Sequence, residues 1–399
     1  MNNSTLSKNK CLTELEVYGL SAPYNLADGH SYLSALHYFN SVVTALPEIW
    51  AAAEKTPVPE MEVLFKEKFA NYFGLEGLKK HSLFSVCPTA SNSIDIVGAW
   101  AREKNYTVGL VEPTFDNLAQ LMRRREVDLK PVAETDFADI ECLRQIIVKQ
   151  KLDVLFMVNP NNPTGTVISQ SMMSAIMDLC VEHGVIVVLD TSFRFCNNNS
   201  VDEYQMLLDK KASFIILEDT GKQWPSLDTK VSLLSYSEDV AAGVRSVYEE
   251  LYLCSSNLSL RILIAFIDAT QAKGGISYIQ SLVRENATYA YQALSTTQVV
   301  VELPSSDATM SVVWLDIEQT GLDDLSLTAY LATYGVAVLP GRYFYWNSHH
   351  IAGHNRVRIA VLKPDHVFKH SVDQLKRALH ELAKSQTLRV EALPEQATV

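Results

Sequence analysis

The chain has 399 residues, 47% of them hydrophobic, and carries 34 basic and 46 acidic side chains, giving a net charge of −12. This length and composition suit a large globular core, and the acidic balance disfavours nucleic acids and anionic membranes as partners. The six cysteines are scattered, so we expect reduced thiols and no metal site. The polar N-terminal segment and the lack of any apolar run near the ~18 residues of a membrane span favour a soluble, cytoplasmic protein.

The middle of the chain alternates short apolar runs with helical patterns. Five runs are rich in β-branched residues and predict buried strands: YTVGLVEP, DVLFMVNP, GVIVVLD, FIILED and KVSLLSYS. Between the second and third run, Ser169 is placed to cap a helix that Gly184 ends. This order predicts a βαβ unit and therefore a mostly parallel sheet.

The second half predicts a different organisation. Long helices are expected from about Asp239 to Lys273, and the later runs QVVVELP, SVVWLDI, VAVLPG and RVRIAVL alternate with helix-like segments. We therefore expect an α/β protein with a large domain over residues 46–290. Residues 1–45 and 291–399 are expected to form a small α+β domain.

Polar motifs follow the predicted strands, where ligands bind in open parallel sheets. These motifs are NPNNPTG (159–165), DTSF (190–193) and DTGK (219–222), with RVR (356–358) nearer the C-terminus. Taken singly, each has an ordinary structural explanation as a turn, a helix cap or a solvated cation. Their order and spacing together, however, predict a ligand site.

This order of motifs resembles the fold-type I pyridoxal-phosphate (PLP) enzymes, the aminotransferase class I/II superfamily. The resemblance implies a Schiff base between Lys222 and PLP, and a pairing of Asp190 with the pyridine nitrogen that keeps the ring an electron sink. It implies that Arg358 binds the substrate α-carboxylate through a two-pronged hydrogen bond. Cofactor contacts are further implied for Ala90, Ser91, Phe115, Asn162, Ser192 and Lys230.

Three positions depart from the pattern of that family. Phe193 replaces a tyrosine whose hydroxyl would reach the cofactor, and Lys230 replaces an arginine that binds the phosphate. Asp219 stands where a hydroxyl residue often binds the phosphate; because a carboxylate would repel phosphate, we expect Asp219 to point elsewhere or the turn to differ.

The N-terminal segment CLTELEVYGLSAPYNLADGHSY (11–32) concentrates charged residues where the superfamily has a strand and loop over the site. Composition alone is also typical of a solvated loop. With DTSF and EDTGK, however, NLADGH resembles a narrower group, the PLP-dependent arginine oxidases and hydroxylases, which use O2 without metal or flavin. That resemblance implies that Glu16 and Asp28 bind the guanidinium of L-arginine with help from Thr13, and that His30 lies near the reacting carbons.

Three functions are compatible with the motifs. The first is an O2-using oxidase of L-arginine that yields an unsaturated or hydroxylated 2-keto acid, ammonia and peroxide. The second is an aminotransferase acting on a basic amino acid, and the third, ranked last, is a non-catalytic PLP-binding regulator, which the charge of −12 disfavours. A homodimer or a dimer of dimers is expected from the family.

Overall fold

A computed structural model describes residues 11–226, 229–304, 306–347 and 351–391. Thirteen strands lie in these ranges: β1 (Tyr24–Asn25), β2 (Phe84–Cys87), β3 (Thr107–Glu112), β4 (Asp128–Ala133), β5 (Val154–Val158), β6 (Ile186–Asp190), β7 (Phe214–Asp219), β8 (Ser232–Tyr236), β9 (Val300–Glu302), β10 (Val312–Asp316), β11 (Val336–Ala337), β12 (Leu339–Pro340) and β13 (Arg356–Ala360).

The same ranges contain seventeen α-helices: α1 (Leu12–Leu20), α2 (Ala35–Tyr38), α3 (Asn40–Thr44), α4 (Leu46–Lys55), α5 (Val58–Phe73), α6 (Glu76–Lys80), α7 (Ala90–Glu103), α8 (Asp116–Arg124), α9 (Ile140–Gln150), α10 (Gln170–His183), α11 (Glu203–Lys210), α12 (Glu238–Leu251), α13 (Asn257–Gln271), α14 (Ile276–Leu294), α15 (Asp324–Ala332), α16 (Ile351–His354) and α17 (Asp365–Glu391). Among the described helices, every one is too short or too polar to cross a lipid bilayer.

The chain divides into two compact units. The larger unit comprises His30–Val283 and Pro304–Met310, and the smaller unit comprises the described residues of Met1–Gly29, Arg284–Leu303 and Ser311–Val399. The chain therefore passes from one unit to the other between residues 29 and 30 and between residues 283 and 284. The sequence predicted domain boundaries at 45/46 and 290/291. Residues 304–310 return briefly to the larger unit, and no motif in the sequence predicts this return.

The larger unit is built on a seven-stranded sheet with the order β2-β8-β7-β6-β5-β3-β4 among the described residues. Neighbours from β7 to β4 pair in parallel, and β8 alone runs antiparallel to β7 and β2. Every residue of β5, β6 and β8 is buried, as the apolar runs predicted. The prediction of an α/β fold with a mostly parallel sheet is thus confirmed.

Helix α10, which connects β5 to β6, shows how local sequence sets these elements. The Ser169 hydroxyl accepts a hydrogen bond from the Met172 amide at the start of the helix, and Gly184 ends the helix with a φ of +67°. Met173, Ile176 and other apolar residues at helical spacing are buried. The predicted cap and end are both confirmed.

The smaller unit contains a four-stranded antiparallel sheet with the order β12-β13-β10-β9 and a separate parallel pair of β1 and β11 within the described residues. Its first element is helix α1, where the superfamily pattern placed a strand and loop. The buried face of α1 consists of Leu12, Leu15, Glu16 and Gly19. This spacing is helical, but the buried glutamate hides it from a search for apolar residues.

Candidate active site

Strand register brings the predicted site residues of the larger unit to one edge of its sheet. Cys87 at the end of β2 pairs with Ser232 at the start of β8, and Ser232 also pairs with Asp219 at the end of β7. Because β8 runs opposite to its neighbours, Lys230, just before β8, lies at the same edge as the ends of β2 and β7. The same edge carries Asp190, at the end of β6.

The turn that carries Lys222 is fixed by hydrogen bonds at two of its residues. Asp219 Oδ1 accepts a bond of 2.7 Å from the Gly221 amide. Thr220 Oγ1 accepts from the Val231 amide at 2.8 Å and donates to the Val231 carbonyl at 2.9 Å. The carboxylate of Asp219 is therefore bonded into the turn, which explains how an acid is accommodated where the family often has a hydroxyl residue.

Lys222 is half-buried, and its Nζ lies 6.0 Å from the centroid of the Phe193 ring. Phe193 is itself buried with 4% exposure. The aromatic ring thus keeps its place beside the lysine although the tyrosine hydroxyl of the family is missing.

Asp190 is a buried carboxylate held in a fixed direction. Its Oδ1 accepts hydrogen bonds from the Ser192 amide at 2.8 Å and from the Ser192 hydroxyl at 2.5 Å. Burial raises the pKa of Asp190 to about 6, the two Ser192 bonds lower it, and the nearby carboxylates of Asp219 and Glu218 raise it further. Ser192, predicted as a cofactor contact, here bonds Asp190. A cation facing Asp190 would favour its ionised form.

His30 and Lys230 form a pair beside the turn that carries Lys222. Lys230 Nζ and His30 Nε2 are 3.1 Å apart, and the Ser31 amide donates to the Gly221 carbonyl at 3.1 Å. A Cβ atom at Gly221 would lie 2.7 Å from Lys230 Cδ and 3.3 Å from His30 Cδ2. Only glycine therefore lets this pair pack against the turn.

Ala90 and Ser91 open helix α7, as the sequence predicted. Thr89 caps the helix, with its hydroxyl accepting from the Asn92 amide at 3.2 Å. Ser91 Oγ accepts a bond of 2.8 Å from Asn117 Nδ2, which ties the starts of α7 and α8 together. Amides in the first turn of a helix have no intrahelical acceptor, so they suit an anion such as a phosphate.

Phe115 and Asn162 occupy loops that follow β3 and β5. Phe115 immediately precedes α8, and Asn162 is buried with 5% exposure. The neighbouring Asn161 anchors the second loop by donating to the Pro113 carbonyl at 2.8 Å and to Glu134 Oε1 at 2.6 Å. Both loops are thereby joined at the edge that carries Asp190.

The chemistry of this donor set fits PLP. Lys222 offers a half-buried primary amine for the aldehyde carbon, and Asp190 a fixed, buried carboxylate for the ring nitrogen. The start of α7 and the Lys230 ammonium suit the phosphate. The absence of a side chain at Gly221 lets Lys230 and His30 pack closely against the turn that carries Lys222.

The smaller unit holds the second group of predicted residues. Glu16 on α1 is 7% exposed, Asp28 is 4% exposed, and Arg358 on β13 is 1% exposed. Arg358 Nη2 donates to Glu16 Oε1 at 3.1 Å and to the Ala27 carbonyl. Its guanidinium carbon also lies 5.6 Å from the centroid of the Phe344 ring. Burial lowers the pKa of Arg358, whereas Glu16 and Asp28 raise it.

The segment NLADG, which carries Asp28, is held by hydrogen bonds within itself and to Glu16. Asn25 Oδ1 accepts from the amides of Ala27 and Asp28 at 3.0 and 3.2 Å, and the Gly29 amide donates to Glu16 Oε1 at 3.3 Å. The segment is also bonded to the small-unit strands, since Leu26 accepts from the Ala360 amide at 2.8 Å. The structure thus joins Glu16 on α1 to the segment that carries Asp28, and both carboxylates are buried.

Thr13 behaves differently from the other predicted residues of this unit. It is exposed, three positions before Glu16 on α1, whereas the buried face of the helix begins at Leu12. No described contact joins Thr13 to Asp28 or Arg358. Its assisting role stays a prediction.

Sequence reasoning missed two buried charged groups. Arg194 is bonded to Glu218 at 2.8 Å and to Glu203 at 2.6 Å, and Tyr204 donates to Glu218 at 3.1 Å, directly before the turn of Lys222. Lys363 in the smaller unit is 3% exposed. Neither has a sequence signal, because the partners are brought together only by the tertiary fold.

Two curated relatives match part of the chain. A histidinol-phosphate aminotransferase from Francisella philomiragia is 24% identical over 51% of this chain and 55% of its own length. The protein MalY from Escherichia coli is 23% identical over 62% of this chain and 65% of its own length. The chain therefore spans just over half to about two thirds of these relatives.

Solved structures match over most of the chain. The structure of MppP soaked with the product 2-ketoarginine has a TM-score of 0.80 and 30% identity, covering 89% of this chain and 99% of that one. Aspartate aminotransferase from Thermus thermophilus with maleate has a TM-score of 0.74 at 17% identity, covering 93% and 97%, which supports the fold alone. The model for aminotransferase class I and II matches residues 24–375. The chain belongs to the aminotransferase class I and II family and has the fold-type I architecture of PLP-dependent enzymes.

Proposed function

We propose that this protein is a PLP-dependent, O2-using oxidase of L-arginine. One observation carries the choice of substrate: Glu16 and Asp28 are both buried carboxylates, and Glu16 already accepts a hydrogen bond from a guanidinium, that of Arg358. Buried carboxylates are costly unless a cation is present, and a planar cation with five donors is their natural partner. The similarity to MppP, whose product is 2-ketoarginine, supports the same substrate class.

Some residues of this chain would bind the substrate, and others would transfer protons. When bound, PLP would draw electrons from the Cα of the amino acid joined to it. We propose that the Lys222 amine removes the Cα proton. Arg358 would bind the α-carboxylate of the substrate, and Glu16 and Asp28 would bind its guanidinium. His30, 3.1 Å from Lys230, is assigned to later proton transfer or to orienting water.

The electron balance distinguishes the possible products. Oxidation of arginine to 2-ketoarginine takes one water and one O2 and releases ammonium and one hydrogen peroxide. An unsaturated 2-keto acid requires the loss of one more hydrogen pair and therefore a second O2 and a second peroxide. A hydroxylated product formed by adding water to the unsaturated acid has the same oxygen demand.

The proposal is tested by neutralising the two carboxylates separately with Glu16→Gln and Asp28→Asn. Each change should weaken L-arginine binding to the holoenzyme about ten- to hundredfold, the loss of a charge-assisted bond of about 1.5–3 kcal/mol. L-citrulline, which has a neutral urea in place of the guanidinium, should be affected little. Glu14→Gln is the matched control, because Glu14 is an exposed carboxylate on the same helix. Equal losses for arginine and citrulline would contradict the assignment.

An aminotransferase of a basic amino acid is the second candidate. The curated relatives favour it, because one of them is a histidinol-phosphate aminotransferase. The same Lys222, Asp190 and Arg358 would serve its first half-reaction, and a second 2-oxo acid would then be required. Ammonia release from arginine without an added 2-oxo acid supports the oxidase, whereas turnover that depends on pyruvate or 2-oxoglutarate supports the aminotransferase.

A further inference from the structure

Lys363 is a buried lysine of the smaller unit to which the proposed reaction gives no role. It is 3% exposed and follows strand β13 by three residues. Its carbonyl accepts a bond of 3.0 Å from Asn286 Nδ2, and its amide donates to the Val361 carbonyl at 2.9 Å. These bonds fix the backbone of Lys363, and its side chain is enclosed in the interior of the smaller unit.

The Lys363 ammonium is bonded to the segment that carries Asp28, one of the two carboxylates that we assign to the substrate guanidinium. Lys363 Nζ donates to the Asp28 carbonyl at 3.2 Å. The charged groups that act on it come from three different parts of the smaller unit: Glu16 on α1, Asp28 after β1, and Arg358 on β13. These four groups comprise two anions and two cations, so the buried cluster is balanced without any ligand.

A substrate guanidinium would place a further cation beside the same two carboxylates. Buried like charges repel more strongly than exposed ones, because the surrounding dielectric is low. The pKa of Lys363 is lowered to about 8, chiefly by burial and also by Arg358, while Asp28 and Glu16 act in the opposite direction. The side chain can therefore lose its proton at modest cost when another cation arrives.

We infer that Lys363 is a specificity-determining residue, an internal cation that competes with guanidinium side chains for Glu16 and Asp28 and releases its proton when a guanidinium binds. The inference rests on the proposed function, since it takes arginine as the ligand. It predicts that preference for a cationic side chain is set by the protonation of Lys363 as well as by the carboxylates. Neutral side chains would not sense this group.

The test is the affinity of the wild-type holoenzyme for L-arginine divided by its affinity for L-citrulline, measured across pH. Both ligands have the same α-amino and α-carboxylate groups, so the ratio removes the pH dependence of binding at these groups. If only the neutral form of Lys363 admits the guanidinium, the ratio should rise on the order of tenfold between about pH 7 and about pH 9. Calorimetry in buffers of different ionisation enthalpy should show nearly one proton more released with arginine than with citrulline near pH 7, and no excess well above pH 9.

Two variants bracket the wild type. Lys363→Met should give a high ratio that does not change with pH, and Lys363→Arg, which stays charged, a low ratio that does not change with pH. Retained visible absorbance of the bound cofactor and a cooperative thermal unfolding transition establish that each variant is folded. The proton-release measurement needs no variant, so a misfolded variant does not leave the inference untested.

The possible failures are distinguishable. A wild-type preference for arginine that is flat across pH, without excess proton release, would overturn the role of Lys363 and leave guanidinium recognition standing. A slope that persists in Lys363→Met would do the same. If arginine is not preferred over citrulline at any pH in the wild type or in Lys363→Met, guanidinium recognition itself fails and the inference fails with it.

Discussion

Glu16 and Arg358 are bonded to each other, with Arg358 Nη2 3.1 Å from Glu16 Oε1. The proposed function assigns them to opposite ends of one substrate, the guanidinium to Glu16 and the α-carboxylate to Arg358. In the structure an internal guanidinium, that of Arg358, therefore already contacts the carboxylate that the proposal gives to the substrate guanidinium.

Arg358 should therefore have two measurable roles. Arg358→Ala should raise KM for every α-amino acid, by about ten- to hundredfold, because a bidentate contact to the carboxylate is lost. It should also lower the melting temperature of the substrate-free protein, because Glu16 is left buried without its cation. Arg358→Lys is the control that keeps the charge and loses the fork. A change confined to side-chain preference would reverse our orientation of the substrate.

Lys222 is the predicted attachment point of the cofactor. Lys222→Ala should abolish both the visible absorbance of the bound cofactor and turnover, because the proposed function gives the covalent link and the Cα proton to this amine, whereas the nearby Lys230 amine is bonded to His30. Lys149→Ala, at an exposed lysine of helix α9, is the control and should change neither. Normal turnover in Lys222→Ala would end the assignment of this edge of the sheet as the active site.

The large sheet and its site edge could be predicted because buried strands have a strong signal. The runs that became β5, β6 and β7 are almost wholly apolar, and their last residues lead directly to Asn162, Asp190 and Lys222. An apolar run has no direction, however, so the antiparallel β8 could not be foreseen. Strand β4 escaped prediction because its sequence DLKPVA carries two charges and a proline, which an edge strand tolerates.

The charged interior was beyond the reach of sequence alone. Glu16 is buried on the same face of helix α1 as Leu12, Leu15 and Gly19. In the sequence, however, a charged residue at such a position is typical of a solvated face. Lys363 likewise reads as one more surface lysine. Only the tertiary fold shows that the partners of these groups, far away in the chain, enclose them.

His30 is assigned to chemistry after the Cα proton has left. His30→Ala should therefore still exchange the Cα proton of arginine with deuterium from solvent, measured by NMR, while the ratio of oxidised products changes. His37→Ala, at an exposed histidine in helix α2, is the control. If His30→Ala loses Cα exchange together with turnover, His30 acts earlier than proposed or supports Lys230, 3.1 Å away.

Asp190 should make the cofactor-free protein sensitive to pH. Its folded-state pKa of about 6 lies above the ordinary value of 3.8, so the folded protein holds this proton at pH values where the unfolded chain has lost it. Folding stability should fall as the pH rises through this window, by at most about 3 kcal/mol. Asp190→Asn removes the buried charge and should raise the melting temperature of the cofactor-free protein above about pH 6, with the advantage vanishing near pH 4. An advantage that is equal at all pH values would contradict the assignment.

Oxygen uptake with L-arginine as the only added substrate tests the central claim most directly. The account predicts that the PLP-loaded protein consumes O2 over many turnovers without an added 2-oxo acid, releasing ammonium and one peroxide for each O2. An aminotransferase would convert at most one arginine per site, consume no O2 and resume only after pyruvate or 2-oxoglutarate was added. That single-turnover stall without oxygen uptake would contradict the oxidase and leave the PLP site in place.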